Sequence, residues 1–287
     1  MEKVHWQSPG QNKPFDTTLD NWRNKTTHDL SKRTIAVLQF IDENPNVEIS
    51  VFKEEFNKYL VEDFYPKWNI SNGNFGKVYN HYFTHLLFVN FIEILDNNNF
   101  SNIDSKKLKI TDNGKKFLTS IFTENYDDAL NIYLNQLINS TFVNEATKKV
   151  NLNIYPFKII FKILYEYGWV HTLLFRTNIG YINKYDDLKC CLNFLENNCY
   201  LEYIKYINKN QDFYRENKIF KISPKQWNMY ITSQLVILGI FEEKVVKKYD
   251  YEHDVETEDS YVRLTTQGID FVEKIKLQEE DYESMFK

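Results

Sequence analysis

The chain has 287 residues, of which 43% are hydrophobic and 16% are aromatic. Its mean hydropathy is −0.53, and this composition is typical of a folded, soluble protein long enough for two domains. No apolar run reaches the roughly 18–20 residues that span a bilayer, and the first residues lack the apolar segment of a signal peptide, so we expect a cytoplasmic protein with no membrane partner. The three cysteines all lie between residues 190 and 199, too few for a disulfide framework, which fits a reducing compartment.

The formal net charge of −5 argues against a general affinity for nucleic acid. The acidic residues are concentrated at one end of the sequence. Residues 249–287 contain 12 acids and 4 bases, a net of −8, which leaves 31 bases and 28 acids, a net of +3, in residues 1–248. A contact with DNA would therefore depend on local basic clusters and would be selective for a site.

The first part of the chain predicts an arm, three helices, a hairpin and a fourth helix. Proline and glycine in residues 1–30 indicate an extended N-terminal arm. Helical and alternating hydrophobic spacings then predict these elements in chain order: a helix from Ser31 to the stop at Asn44, helices over Ile49–Leu60 and about Phe75–Val89, strands over Phe91–Leu95 and Lys107–Ile110, and a helix over Asp112–Phe122. Three helices followed by a two-stranded hairpin form a winged helix-turn-helix order.

The second part predicts further helices and a second hairpin. The elements expected in chain order are helices over Tyr155–Tyr167, 185–198 and Pro224–Leu238, a strand over Gly239–Val246, an acidic segment over Tyr249–Asp259, a strand over Tyr261–Leu264 and a helix over Thr266–Ile275. Proline suits the first turn of the Pro224 helix, because its missing N–H has no partner there in any case.

The chain contains an internal repeat that links the two parts. Residues 108–117 (LKITDNGKKF) align with residues 262–271 (VRLTTQGIDF) at an offset of 154, so that a threonine, a glycine and a phenylalanine coincide. In each copy the threonine can cap a new helix, the glycine allows that helix to approach the sheet closely, and the phenylalanine enters the core. We therefore expect a mainly α protein with small antiparallel β-wings, divided into the arm (1–30), a first winged-helix unit (31–123) and a second winged-helix unit with extra helices and an acidic wing loop (124–287).

Several segments resemble the DNA-recognition half of type IIS restriction endonucleases of the FokI and AlwI type. They are His5–Gly10, the Phe91–Leu95 strand leading to Ile110–Gly114, and Leu134–Val143 followed by Tyr155–Gly168. The resemblance implies tandem winged helices that bind an asymmetric double-stranded site, with a separate metal-dependent nuclease domain that cuts at a distance. Because this chain ends about a dozen residues after the second hairpin's helix, we expect the nuclease domain to be absent. Cleavage would then need a nuclease partner, and a divalent metal would be needed only with it.

Two helices are the predicted recognition helices, because the helix before the hairpin of a winged helix lies in the major groove, where all four base pairs can be distinguished. The expected buried stripes are Val78, Tyr82, Leu86 and Val89 on the first helix, and Trp227, Tyr230, Ile231 and Leu235 on the second. The polar residues left for DNA are Lys77, Asn80, His81 and Thr84 on the first helix, and Lys225, Gln226 and Asn228 on the second. The alternative for each of these residues is a merely solvated position.

Two basic clusters are the predicted phosphate contacts. They comprise Arg23, Lys25, Lys32 and Arg33 near the end of the arm, and Lys205, Lys209, Arg215, Lys218, Lys221 and Lys225 before the second recognition helix. Within 205–225 the six bases face two acids, a net of +4, which suits contacts that fix a protein's register on DNA. The acidic segment at 250–259 would repel DNA. We therefore expect this segment to point away from the DNA, as a long wing tip or a disordered loop, or to contact a partner protein.

Catalytic chemistry finds little support in the sequence. Glu242-Glu243-Lys244 and Asp104-Ser105-Lys106 have the acid-x-Lys spacing of a metal nuclease, but we assign both to wing strands, which are commonly rich in Lys and Glu. The sequence contains no phosphate-binding GxxxxGK or GxGxxG and no nucleophile-elbow motif. His81 and His85 have a metal-binding spacing without the intervening glutamate of zinc proteases, and the cysteines are interpreted as buried thiols on a helix.

The predicted function is therefore specific binding of double-stranded DNA, as the target-recognition part of a type IIS-like restriction endonuclease, with no catalytic residue, metal or cofactor in this chain. A transcription regulator or plasmid replication initiator could use the same modules on a palindromic or iterated target. A protein–protein scaffold that binds no duplex is the third class.

Overall fold

The computed structural model describes residues 30–59, 84–95, 106–141, 154–172, 182, 184–196, 235–236, 238–250 and 255–286. It is a mainly helical protein with two small antiparallel sheets. The chain divides into two compact units between Ser140 and Thr141. Each unit has its own sheet and its own hydrophobic core.

The first unit contains a three-stranded sheet flanked by helices. Its described elements are α1 (Leu30–Glu43), β1 (Val47–Glu48), α2 (Ile49–Tyr59), α3 (Thr84–Phe88), β2 (Ile92–Leu95), β3 (Lys107–Ile110), α4 (Asp112–Phe122) and α5 (Tyr126–Asn139). The strand order is β1-β3-β2, and both pairings are antiparallel. The last strand of the hairpin is therefore the central one.

Aromatic rings fill much of the first unit's core. Phe52 stacks on Phe56 at 4.4 Å between centroids, and Phe40 packs edge-on against both rings. Phe91, which precedes β2, stacks on Phe117 of α4 at 4.6 Å. The rings of Phe40, Phe52 and Phe56 lie on the apolar faces that the helical spacing predicts, because residues three and four apart share one side of a helix.

The second unit repeats the arrangement with longer hairpin strands. Its described elements are α6 (Pro156–Tyr167), β4 (Val170–His171), α7 (Tyr185–Glu196), β5 (Phe241–Asp250), β6 (Val255–Leu264) and α8 (Thr266–Lys274), followed by two 3₁₀ turns, Leu277–Glu279 and Tyr282–Met285. The strand order is β4-β6-β5, again antiparallel. Phe161 of α6 packs against Phe241 and Phe271, so α6 covers the sheet and α8 together.

The segment after α8 is tied to α6 by polar contacts. The Lys162 ammonium, only 7% exposed, donates to the Gln278 carbonyl oxygen at 2.9 Å and lies 3.0 Å from Glu166. The Tyr282 hydroxyl donates to the other oxygen of Glu166 at 2.7 Å, and Lys158 pairs with Glu280 at 2.6 Å. The buried Lys162 charge thus has partners, as burial of a charge requires.

The predicted elements agree closely with the described ones. The helix over Asp112–Phe122 and the strand over Lys107–Ile110 are confirmed at both ends, and the helices predicted from Ser31, Ile49, Tyr155 and residue 185 begin within one residue of the observed starts. Residues 75–83 and 224–234, which belong to the two predicted recognition helices, lie outside the described residues. The helix over 126–139 packs against α4 and lies in the first unit, beyond the boundary that the sequence placed at residue 123.

Two predictions need correction. The second hairpin is longer than predicted, since β5 continues to Asp250 and β6 already begins at Val255, so much of the acidic segment is strand.

Of the two described cysteines on α7, Cys191 is buried but Cys190 is exposed. Adjacent helical residues point about 100° apart, so a one-sided helix buries only one of them.

Candidate nucleic-acid interface

Each unit carries the same joint between a helix end, the hairpin and the following helix. In the first unit the Phe91 N–H donates to the Leu86 carbonyl oxygen at 2.8 Å, around Asn90 in the left-handed region (φ 53°). In the second unit the Ile240 N–H donates to the Leu235 carbonyl oxygen at 2.8 Å, around Gly239 (φ 73°). Asparagine and glycine are the residues that adopt this conformation most readily.

The repeated threonine closes this joint from the other side. The Thr111 hydroxyl donates to the Asn90 carbonyl oxygen at 2.6 Å and accepts from the Gly114 N–H at 3.1 Å. The Thr265 hydroxyl makes the equivalent bonds to Gly239 at 2.6 Å and from Gly268 at 3.1 Å. One hydroxyl therefore both caps the new helix and holds the preceding turn, which confirms the capping role that the sequence predicts.

The repeated glycine lies where a helix meets a strand. A Cβ atom on Gly114 would overlap the Phe91 carbonyl oxygen, and one on Gly268 would overlap the Ile240 carbonyl oxygen. These oxygens accept hydrogen bonds from the Thr111 and Thr265 N–H groups, each at 3.0 Å. Only glycine fits this approach without moving backbone, so the expected close contact is confirmed.

The joint fixes the C-terminal ends of the two predicted recognition helices. Leu86 and Val89 at the end of the first, and Leu235 at the end of the second, are at most 1% exposed. They are the described members of the two predicted buried stripes, and their burial is confirmed. The other members of both stripes lie outside the described residues.

The predicted DNA contacts lie almost entirely outside the part of the chain that the structure describes. This holds for Arg23, Lys25, Lys77, Asn80, His81, Arg215, Lys218, Lys221, Lys225, Gln226 and Asn228, and also for Lys205 and Lys209. Thr84 is the first residue of α3, but the described part does not include its side chain, nor those of Lys32, Arg33 and His85. These assignments remain predictions.

The first hairpin carries lysines that belong to neither of the two predicted basic clusters. Lys107 and Lys109 alternate along β3, and Lys106 precedes them. The Lys109 ammonium pairs across the hairpin with Glu93 at 3.0 Å, and both side chains are about half exposed. The alternating KLKI pattern carries this signal, although by itself it indicates only a strand.

The second hairpin repeats this ion pair. Arg263 pairs with Glu242 across β5 and β6, at the register positions equivalent to Lys109 and Glu93. The guanidinium also lies 4.7 Å from the ring centroid of Trp169, which is 37% exposed. The neighbouring Glu243 carboxylate accepts from the Ser260 hydroxyl.

These contacts account for the acid-x-Lys motif at residues 242–244. Glu242 and Glu243 are adjacent on a strand and therefore point to opposite faces of the hairpin. Among the described residues, no group of three or more His, Cys, Asp or Glu side chains is placed to hold a metal ion. The motif is thus part of a solvent-exposed strand, as the sequence analysis assigned it.

A histidine lies at the other edge of the second sheet. His171 Nε2 is 3.3 Å from an Asp259 carboxylate oxygen, and its ring packs edge-on against Tyr261. The Thr172 hydroxyl donates to the Ser260 carbonyl oxygen at 3.0 Å. These contacts attach the two-residue strand β4 to β6.

Several tyrosines near α6 have raised pKa values. Burial raises the pKa of Tyr282 well above its ordinary value, and the hydrogen bond to Glu166 adds to the effect. Partial burial, with the nearby Glu196 and Glu166 carboxylates, raises the pKa of Tyr167 to about 12. Complete burial also raises that of Tyr133 in the first unit. All of these groups are neutral at physiological pH, so they add no charge to the candidate interface.

Comparison with family models, with curated proteins and with solved structures finds no match to this chain. None of the described helices has both the length and the apolar character needed to cross a membrane.

Proposed function

We propose that both units are winged helices and that the chain binds a specific site in double-stranded DNA, as the target-recognition part of a type IIS-like restriction endonuclease. The observation that supports this most directly is the repeated topology. In each unit the described elements are a helix, a short strand, at least one further helix, a hairpin and a closing helix, and the short strand pairs with the last strand of the hairpin. This is the element order of a winged helix, whose third helix enters the major groove.

The joint supports the assignment of the recognition helices. A helix that reads base edges must be held rigidly relative to the sheet, because small displacements break hydrogen bonds to the bases. The hydroxyls of Thr111 and Thr265 fix the turn that follows each candidate helix. Base selection would then come from Lys77, Asn80, His81 and Thr84 in the first unit, and from Lys225, Gln226 and Asn228 in the second.

The lysines of the first hairpin extend the proposed interface. Lys107 and Lys109 lie on β3, and Lys106 directly precedes it. In a winged helix, the loop next to this strand would follow the DNA backbone. The second hairpin differs, because residues 245–260 contain two lysines and six acids, a net of −4. We therefore propose that phosphate contacts come from the first hairpin and from the basic stretch at 205–225, and not from the second hairpin.

Selection from a random duplex pool, followed by sequencing, tests the proposal. An enriched motif supports a site-specific DNA-binding protein, and the absence of any enriched or retained duplex at low salt would refute it. The symmetry of the motif separates the two candidate roles. An asymmetric motif supports endonuclease recognition, whereas a palindromic or iterated motif supports the regulator or replication initiator.

The salt dependence of binding tests the phosphate contacts. We expect Lys218→Ala with Lys221→Ala to weaken binding to all duplexes alike and to reduce the salt slope by about one for each lost contact. Lys184→Ala with Lys189→Ala is a matched control, because these exposed lysines pair with Asp186 on α7 and belong to neither predicted basic cluster. An unchanged slope in the first variant, or an equal change in the control, would contradict the assignment.

A further inference from the structure

The C-terminal end of α3 is held by α5 as well as by its own turn. The last carbonyl groups of a helix have no partner within the helix, so they need partners elsewhere. The Leu86 carbonyl oxygen finds one in the Phe91 N–H, at 2.8 Å. The Phe88 carbonyl oxygen accepts from the Ser140 hydroxyl at 2.6 Å. Because Ser140 directly follows α5, the end of this later helix supplies the partner.

The Ser140 hydroxyl is itself fixed in place. Ser140 is 8% exposed, and its N–H donates to the Leu137 carbonyl oxygen at 3.3 Å. Its hydroxyl also lies 2.7 Å from the Gln136 carbonyl oxygen, one turn earlier in α5. A serine hydroxyl has one proton to donate, so the Gln136 and Phe88 carbonyl oxygens share one donor. A single side chain thereby joins the backbone of α5 to the backbone of α3.

A second contact from α5 lies on the other side of the turn at Asn90. The Tyr133 ring packs against the Phe91 ring at 6.5 Å between centroids, and Tyr133 is 1% exposed. α5 therefore contacts the joint both before and after the turn, at Phe88 and at Phe91. Because α5 also packs along α4, the same helix supports α3, the start of the hairpin and the closing helix.

The support from α5 is not part of the internal repeat. In the second unit, residues 275–286 follow α8 and form two 3₁₀ turns in place of a helix. Polar contacts connect this segment to α6, through the Gln278 carbonyl oxygen and the Tyr282 hydroxyl. Both units share the threonine and glycine bonds of the joint. The first unit adds the Ser140 bond to them.

We propose that Ser140 is a positioning residue for base selection by the first unit, an inference that rests on the proposed DNA binding. The predicted base contacts of this unit precede Phe88 on the same predicted helix. The nearest of them, Thr84, lies one helical turn before Phe88 in α3. Ser140 acts through α3: its hydroxyl fixes the end of the helix, and the helix presents the base contacts.

A small displacement of a recognition helix affects base contacts more than phosphate contacts. Hydrogen bonds to base edges require donor–acceptor distances near 2.9 Å and nearly linear angles. A bidentate contact of this kind discriminates against the wrong base by about 5- to 150-fold. Lysines reach phosphates on long flexible side chains, and these contacts carry no sequence information. Loss of the Ser140 bond should therefore reduce discrimination between sites and leave binding to unrelated duplexes nearly unchanged.

Ser140→Ala tests this role, with Ser120→Ala as the matched control. Both serines are buried in the first unit, at 8% and 5% exposure. The Ser120 hydroxyl donates to an Asp128 carboxylate oxygen, so Ser120→Ala also removes a side-chain hydrogen bond of α5. That bond connects α5 to α4 and does not involve α3. Urea denaturation of both variants checks that their losses of stability are similar.

The measurement is equilibrium binding of the 287-residue chain to the duplex enriched from a random pool, and to duplexes with one base pair changed. At base pairs where Asn80→Ala reduces discrimination, Ser140→Ala should reduce it by about three- to tenfold. At base pairs where Asn228→Ala reduces it, Ser140→Ala should change it by less than about twofold. Ser120→Ala should keep the discrimination of the unmodified chain at both sets of base pairs.

Hydrogen exchange of residues 84–95 in the DNA-free protein measures the local effect. Exchange should be about five- to tenfold faster in Ser140→Ala than in Ser120→Ala, because only the first variant frees the end of α3. Equal exchange in the two variants would overturn the proposal, and so would equal discrimination in both. If the unmodified chain enriches no motif, the proposed function itself fails. A motif that Ser140→Ala reads as strictly as the unmodified chain refutes only the positioning role.

Discussion

Replacing the repeated glycine of the second unit by alanine tests the packing of α8 on the hairpin. In Gly268→Ala, the new methyl group would overlap the Ile240 carbonyl oxygen and lie 3.1 Å from the Leu264 Cδ2. The oxygen belongs to backbone and also accepts the Thr265 N–H at 3.0 Å. Relief of the overlap therefore requires the helix and the strand to separate, which weakens that hydrogen bond.

The expected cost follows from opposing contributions. Overpacking costs about 1–3 kcal/mol, and weakening the Thr265 N–H bond adds about 1 kcal/mol. Alanine returns up to about 1 kcal/mol through its better helix propensity. We expect Gly268→Ala to lower the free energy of unfolding by about 2 kcal/mol. Gly114→Ala should cost more, because its methyl group would also lie 2.8 Å from the Ile110 Cγ1.

Urea denaturation followed by circular dichroism measures this change, with an expected fall in the midpoint of about 1 M for a 2 kcal/mol loss. Asp270→Ala is the matched control, since Asp270 is exposed on the same helix and should change stability by no more than about 0.5 kcal/mol. A Gly268→Ala protein as stable as the unmodified chain would refute the inference that this approach requires glycine.

Two further predictions concern the joint and the segment after α8. Thr265→Ala removes the bonds to the Gly239 carbonyl and from the Gly268 N–H and should lower the free energy of unfolding, measured by urea denaturation, by about 1–2 kcal/mol. Thr265→Ser keeps the hydroxyl and should keep most of that stability. Equal losses in the two variants would show that the hydroxyl is unimportant. The pKa of Tyr282 is raised in the folded state, so its stabilising contribution is complete below pH 10 and is lost as the pH rises through the folded pKa. Tyr282→Phe should therefore reduce the fall of unfolding free energy above pH 10 by up to about 1.4 kcal/mol per pH unit, and identical slopes in the two proteins would contradict the shift.

The two units share one local motif, although the hairpins that contain it differ in length and charge. The cross-strand pair Glu93–Lys109 has its counterpart in Glu242–Arg263, and the joint is the same down to its hydrogen bonds. The hairpins differ in length and charge beyond these shared positions. The shared joint holds the turn before each hairpin, and the units differ in the hairpins beyond it.

Most described elements were predictable because their signals are local. The helix over Asp112–Phe122 has a threonine cap, a first-turn acid and a regular apolar face, and these interact within a few residues. The burial of Leu86, Val89 and Leu235 followed from helical spacing alone. The proposed recognition residues lie almost entirely outside the described residues and stay predictions.

The length of the second hairpin was missed for a physical reason. Residues 247–259 are rich in charges, and Asp and Glu are uncommon in strands, so their sequence indicates a loop. In the structure, Lys247 faces Glu258 across the hairpin, and the strands continue through the charged segment. A cross-strand partner is not visible from either strand by itself.

The sequence by itself determined the approximate bounds of most described helices, the internal repeat at an offset of 154, and the threonine and glycine that mark it. Only the tertiary structure decided the strand order β4-β6-β5, the carbonyl that each glycine meets, and the length of the second hairpin. The first group depends on interactions within one or two turns of chain, which periodicity and capping record. The second depends on pairing between residues that are far apart in sequence, and that pairing is fixed only when the whole unit buries its core.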